Sequence, residues 1–177
     1  MTDAPARPYL LPQELVDLAR RVIEENRAAG RHVAVAESCT GGLVAAALTE
    51  IAGSSDVFEA GFVTYANEAK MNLLGVSSEV IETFGSVSVA CAWAMAQGAL
   101  EKSGADVAVA ITGIAGPGGG SEKKPVGTVV FARAEKDAGT DEPVADLKEF
   151  GDLGRAGIRL QAALCALELL LPGSPRP

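Results

Sequence analysis

The chain has 177 residues, 48% hydrophobic and 21% charged, which suits one domain with its own core and lies outside the disordered range. A net charge of −8 argues against a nucleic-acid surface, because only Arg20-Arg21 and Lys123-Lys124 set two basic residues side by side. No apolar run reaches the ~18 residues that cross a bilayer. The proline-broken start "MTDAPARPYLLPQ" lacks the form of a signal peptide, and a cytoplasmic protein is expected. Cys39, Cys91 and Cys165 are odd in number and far apart, so neither a disulfide framework nor a zinc site is expected.

Residues 11–29 place Leu15, Leu18, Val22 and Ile23 on one helical face, and Gly30 ends that helix. "HVAVAES" reads as a buried strand, "GGLVAAALTEIAG" as a helix ended by Gly53, and "VFEAGFVTYA" as a second strand. Short helices around 68–74 and 78–83 precede a long Ala-rich one from about Ser88 to Lys102. "DVAVAITGIAG" is a continuous apolar run, as in a strand covered on both faces. "PVGTVVFARAEK" and "VADLKEF" read as two strands joined by the polar loop "KDAGTDE". Residues 155–171 close the chain as a helix with Ile158, Ala162, Cys165 and Leu169 in register, and Cys165 is expected to be a buried small hydrophobe. The alternation predicts a single three-layer α/β/α domain. Its sheet is mixed and mostly parallel, since no helix separates the last two strands. The expected limits are a flexible extension over 1–11, the domain over 12–171 and a flexible tail over 172–177.

The stretch "AESCTGG", residues 36–42, puts Ser38, Cys39 and Thr40 at a strand-to-helix corner. A serine attacks a carbonyl only when a base removes its proton. The sole histidine, His32, lies six residues earlier on the same strand, roughly 20 Å away. Within one chain that excludes a Ser-His-Asp triad and a Cys-His pair using Cys39. Lysine is the alternative base: "TYANEAK" offers Tyr65 and Lys70. If Asn67 caps the next helix, Lys70 falls in its first turn, where the helix dipole and apolar neighbours favour the neutral amine. A nearby tyrosine hydroxyl could pass the proton. The backbone amides of Gly41 and Gly42, opening the next helix, could hold an oxyanion. Each residue also has a plainer reading: Ser38 or Thr40 as an N-cap, Lys70 as a solvated helix residue, Tyr65 as a half-buried strand residue.

The Gly-rich "TGIAGPGGGSEKKPVG" follows the central strand. It is neither a P-loop nor a G-x-G-x-x-G motif. At a strand's carboxyl end its amides could cradle a phosphate; the alternative is a plain connector. Arg155 and Arg159 share one helix face, either facing solvent or clamping an anion. No His/Cys/Asp cluster suggests a metal, and no cofactor is expected.

Together these motifs resemble the CinA C-terminal domain family, whose characterised enzymes are nicotinamide-nucleotide amidases (NMN deamidases). The resemblance rests on "AESCTGG" (36–42), "Y-x-N-E-x-K" (65–70) with "LLGV" (73–76), "GSVS" (85–88), "AITGIAGPGGG" (110–120) and "KPVGTV" (124–129). It covers about residues 12–171 and implies a stand-alone form without the nucleotide-pyrophosphatase-type domain of longer members. It implies hydrolysis of nicotinamide mononucleotide to nicotinic acid mononucleotide and ammonia, in pyridine-nucleotide recycling. Ser38 takes the place of the nucleophile, Lys70 of the base and Tyr65 of its partner. Thr40, Gly41, Gly42, Asn67, Thr112, Gly113, Gly116 and Arg155 are expected at the substrate. Cys39 should project away from the site. The chain departs from the family pattern at Val89-Ala90, where acidic residues are usual, and at Leu153-Gly154-Arg155, where G-D-R is usual. A non-catalytic nucleotide-binding or regulatory module keeping the same pocket is the competing expectation. A mean hydropathy of +0.21 is the one sign of self-association, and a homo-oligomer is expected; the resemblance implies a small-molecule substrate, and charge and hydropathy patterning leave no nucleic-acid or membrane partner expected.

Overall fold

The Val-Ala-Val-Ala repeats that read as strands also set the layering. Side chains alternate across a strand, so each repeat shows valines to one face of the sheet and alanines to the other. The structure is a computed structural model describing residues 8–138 and 144–174. The expected extension over residues 1–7, residues 139–142 of the "KDAGTDE" loop and the last three residues of the expected tail lie outside the described residues. In chain order the elements are α1 (Gln13–Ala28), β1 (Val33–Glu37), α2 (Leu43–Thr49), β2 (Phe58–Val63), α3 (Asn67–Leu74), α4 (Ser78–Phe84), α5 (Val89–Ser103), β3 (Val107–Gly113), β4 (Thr128–Glu135), β5 (Ala145–Glu149) and α6 (Gly154–Leu170). The sheet order is β2-β1-β3-β4-β5. Its first two pairings are parallel and its last two antiparallel, so the mixed α/β sheet expected from the sequence is present.

On the valine face, Val33, Val35, Val107, Val109 and Phe131 join α1, α2 and α6 in one buried cluster. Tyr9 and Leu11, read as part of the extension, pack against it. On the other face, Ala34, Ala36, Ala108, Ala110 and Ala132 meet α5 and Leu74 of α3. Small residues on both sides let α5 approach closely. The tightest contact is at Gly98, where a Cβ would stand 2.0 Å from the Leu74 carbonyl oxygen. Gly98 thus seats the end of α3 against α5, and α3 carries Lys70.

Two expectations need correction. The helix after the "SCTGG" turn is shorter than "GGLVAAALTEIAG", because Gly41 (φ +60°) and Gly42 (φ +94°) adopt left-handed backbone outside it. The core face of α6 is Ile158, Ala162, Ala163, Ala166, Leu167 and Leu170. This is a rotation from the predicted register, and it leaves Cys165 only partly buried, with Lys148 Nζ 3.8 Å from its sulfur. Apolar residues surround most of this helix, so periodicity alone does not fix its inward side.

Candidate active site

The parallel ladder runs on past β1. Ser38 N–H donates to Ile111 O of β3 at 2.9 Å, and Thr64 N–H donates to Glu37 O at 2.8 Å. The chain passes from β1 to β2 on one side and later returns as β3 on the other. Ser38 therefore emerges at the carboxyl end of the sheet where the strand order reverses, the usual ligand crevice of open α/β sheets. Alternation places Ser38 on the alanine face with α3, and Cys39 on the opposite face, buried in the valine-side cluster as expected. Burial pushes the Cys39 thiol up to about 11, which keeps it protonated and a poor nucleophile.

Lys70 comes from the fourth position of α3 and is 1% exposed. Its Nζ lies 3.1 Å from Ser38 Oγ, 2.8 Å from Thr64 O and 3.3 Å from Tyr65 O. None of these partners is a carboxylate. Burial lowers the amine's pKa below the ordinary lysine value, because a charged group loses its hydration there. His32 stands at the other end of β1, exposed, with Nδ1 3.4 Å from Asp106 Oδ2.

The turn itself corrects the sequence reading. Glu37, wholly buried, accepts hydrogen bonds from the amides of Gly42 (3.0 Å), Val44 (3.2 Å) and Ala45 (2.8 Å). A carboxylate at the positive end of α2 thus satisfies its first amides, and neither Ser38 nor Thr40 caps it. Gly41 N–H donates to Ser38 O at 3.0 Å. Both glycine amides expected to hold an oxyanion are therefore already engaged. Among the described residues, Thr40 N–H meets no acceptor, and Cys39 N–H meets no oxygen, only its own thiol. The signal for Glu37 was in the sequence: an acidic residue ending an apolar strand just before a helix.

Other expected residues sort as follows. The Tyr65 hydroxyl accepts from Arg155 Nη2 at 2.9 Å, and only the backbone carbonyl of Tyr65 reaches Lys70. Asn67 is the first residue of α3, exposed, and Ala66 occupies the cap position with no side-chain cap bond. Thr112 is buried and its hydroxyl donates to Ser86 O at 2.8 Å, so it ties β3 to the loop before α5. Thr40 is buried too, with no partner for Oγ1 among the described residues. Gly113 and Gly116 do line a cleft of about 440 Å³, together with Ser86, Gly119, Lys124 and Arg155. Two cations thus rim a cleft walled by glycine backbone on an otherwise acidic chain. Arg155 Nη1 donates to Gly116 O at 2.8 Å, and Lys124 Nζ to Phe84 O at 3.0 Å. Arg159 parts from Arg155: its Nε donates to Cys39 O at 3.2 Å and its Nη2 to Thr40 O at 3.0 Å. Sequence spacing offered Arg159 as a solvent-facing residue or an anion clamp; in the structure it is partly buried and holds two carbonyls of the turn.

A buried Ser-Lys pair beside turn amides that meet no oxygen acceptor can perform acyl transfer. The CinA C-terminal domain family matches residues 15–172. The nicotinamide-nucleotide amidohydrolase PncC of Enterobacter agglomerans is 52% identical over 145 residues, covering 82% of this chain and 86% of that protein. A competence-damage inducible protein of Symbiobacterium thermophilum is 52% identical over 147 residues, but the chain spans only 34% of its length. Among solved structures, the competence/damage inducible protein CihA from Agrobacterium tumefaciens superposes with a TM-score of 0.86 at 52% identity, covering 91% of this chain and 96% of that one. Among the described residues no helix is long and apolar enough to cross a membrane.

Proposed function

The chain belongs to the CinA C-terminal domain family, and from that premise we propose that it is a nicotinamide-nucleotide amidohydrolase. It hydrolyses the carboxamide of nicotinamide mononucleotide to nicotinic acid mononucleotide and ammonia, a step in pyridine-nucleotide recycling. The relative that bears this activity in its name matches over most of both chains. The observation that carries the reading is the set of partners around Lys70 Nζ. Two are carbonyl oxygens, which only accept, and the third is the Ser38 hydroxyl. A neutral amine fills the two carbonyls with its two N–H groups and turns its lone pair to the Ser38 proton.

Lys70 takes that proton as Ser38 Oγ bonds to the carboxamide carbon. The oxyanion is held by Thr40 N–H, which meets no acceptor, and by Cys39 N–H, which follows the nucleophile directly and turns from its own thiol to the oxyanion. The C–N bond then breaks, the nitrogen takes the proton from Lys70, and ammonia leaves. A water molecule gives a proton to Lys70 while its oxygen bonds to the acyl carbon. Ser38 recovers that proton as the C–Oγ bond breaks and the acid departs. The Gly113–Gly119 backbone, Lys124 and Arg155 receive the nucleotide phosphate, anion recognition by cations and loop amides. The protein acts as a homo-oligomer, a reading supported by the exposed Leu73, Phe84 and Leu153.

Ammonia release tests this with nicotinamide mononucleotide, nicotinamide riboside and free nicotinamide in parallel. Turnover of the mononucleotide well above the other two is expected. Binding of the mononucleotide without ammonia release would instead favour a regulatory module.

A further inference from the structure

We propose that Arg159 is a positioning residue, which holds the oxyanion-binding amides in place by gripping the carbonyls behind them. The inference rests on the serine–lysine reading above. In a trans peptide unit, N–H and C=O point in opposite directions within one plane. The Cys39–Thr40 unit has its C=O held by Arg159 Nε at 3.2 Å, so Thr40 N–H faces away from α6. The Ser38–Cys39 unit has its C=O held by Gly41 N–H at 3.0 Å, so Cys39 N–H is fixed in the same manner. Arg159 Nη2 takes Thr40 O at 3.0 Å, and that carbonyl also accepts from Leu43 N–H at 3.3 Å.

Two opposite charges thus bracket the turn. The Glu37 carboxylate collects the amides after it, and the Arg159 guanidinium collects the carbonyls within it. The amides left without an oxygen acceptor belong to Cys39, whose N–H meets only its own thiol, and Thr40. A cation on the carbonyl side of a peptide also strengthens its N–H as a donor, since hydrogen bonds in series polarise one another. Arginine suits this place because its planar fork offers N–H groups in fixed relation, matched to two neighbouring carbonyls; an ammonium is a single point. A Cβ at Gly41 would make only ordinary contact with Arg159 Nη2, at 3.5 Å; its φ of +60° is what favours glycine there. Arg159 is absent from the cleft that Arg155 lines, which separates it from a role in gripping phosphate.

The test uses the full chain, as Arg159→Lys and Arg159→Met, with two readouts. In turnover of nicotinamide mononucleotide, kcat is expected to fall on the order of 10²-fold with KM changed less than about threefold, the pattern of a lost transition-state interaction. The second readout needs no turnover: 3-pyridylboronic acid forms a tetrahedral adduct on the serine with an oxygen in the oxyanion site. Its dissociation constant is expected to rise at least about tenfold in Arg159→Lys, while affinity for nicotinic acid mononucleotide stays unchanged. If Arg159→Met does not fold, Arg159→Lys carries both measurements. Unchanged boronate affinity in Arg159→Lys overturns the inference, as does a raised KM at constant kcat or an unaltered protein that binds no boronate. An unaltered protein that binds boronate but releases no ammonia sinks the proposed function alone.

Discussion

Lys70 Nζ and Ser38 Oγ lie 3.1 Å apart although thirty-two residues separate them in the chain. Three features bring them together: the parallel pairing of β1 with β2, the short link from Thr64 to α3, and the seating of α3 on α5 at Gly98. The amine is buried without a carboxylate partner, and the chemistry follows from that.

The first expectation concerns pH. Burial lowers the Lys70 pKa from the ordinary 10.5, and in the proposed mechanism the neutral form is the active one. The rate constant kcat/KM therefore rises with pH and reaches its plateau below pH 10.5. Stability follows the same sign. Between the lowered folded value and the ordinary unfolded value the unfolded chain binds more protons, so this group's contribution improves as pH rises across that window and is lost as pH falls. Lys70→Arg, which stays charged, should be inactive at every pH. A pH–rate profile of both proteins checks this; a flat profile for the unaltered enzyme contradicts it.

Glu37 is expected to govern stability. Glu37→Gln removes a charge-assisted acceptor of three amides and should cost about 2 kcal/mol or more. Urea unfolding should show a lower midpoint at constant slope. A change within about 0.5 kcal/mol, the scale of an ordinary surface substitution, would contradict the capping role.

Tyr65 separates side chain from main chain. Its carbonyl contacts Lys70 while its hydroxyl contacts Arg155. Tyr65→Phe is therefore expected to lower kcat less than about tenfold, the scale of one hydrogen bond, and to act mainly through KM as Arg155 loosens. A loss of kcat on the order of 10²–10⁴-fold would make the hydroxyl a proton carrier after all.

Gly98→Ala pits propensity against packing. Propensity alone favours alanine in a helix by about 1 kcal/mol. The added Cβ would stand 2.0 Å from Leu74 O, and overpacking of this kind costs about 1–3 kcal/mol. The variant should melt lower and, because α3 carries Lys70, lose kcat as well. A higher Tm with full activity would refute the contact.

How much of this was legible beforehand depends on what each feature requires. The strands were readable because "VAVA" repeats between glycines and polar turns admit one periodicity. The Ser38–Lys70 contact was readable because the single histidine sits at the wrong end of β1, leaving lysine as the candidate base near the corner. The role of the turn amides was not, because it is decided by Glu37 and by Arg159, the latter 120 residues from Cys39, and sequence spacing does not show which carbonyl a guanidinium meets. Tyr65 illustrates the same limit: adjacency to the lysine was visible, but not that the main chain makes the contact. The face of α6 was lost because apolar residues run nearly all round it. Thr112 reads as a ligand-facing hydroxyl at a strand end until Ser86 O is found beneath it.

The most direct measurement is ammonia release from nicotinamide mononucleotide by Ser38→Ala and Lys70→Met, purified beside the unaltered protein and matched to it in Tm. Both variants are expected to lose activity, Ser38→Ala by about 10⁴-fold or more and Lys70→Met by about 10²–10⁴-fold. Near-normal turnover in Ser38→Ala would contradict the account at its centre.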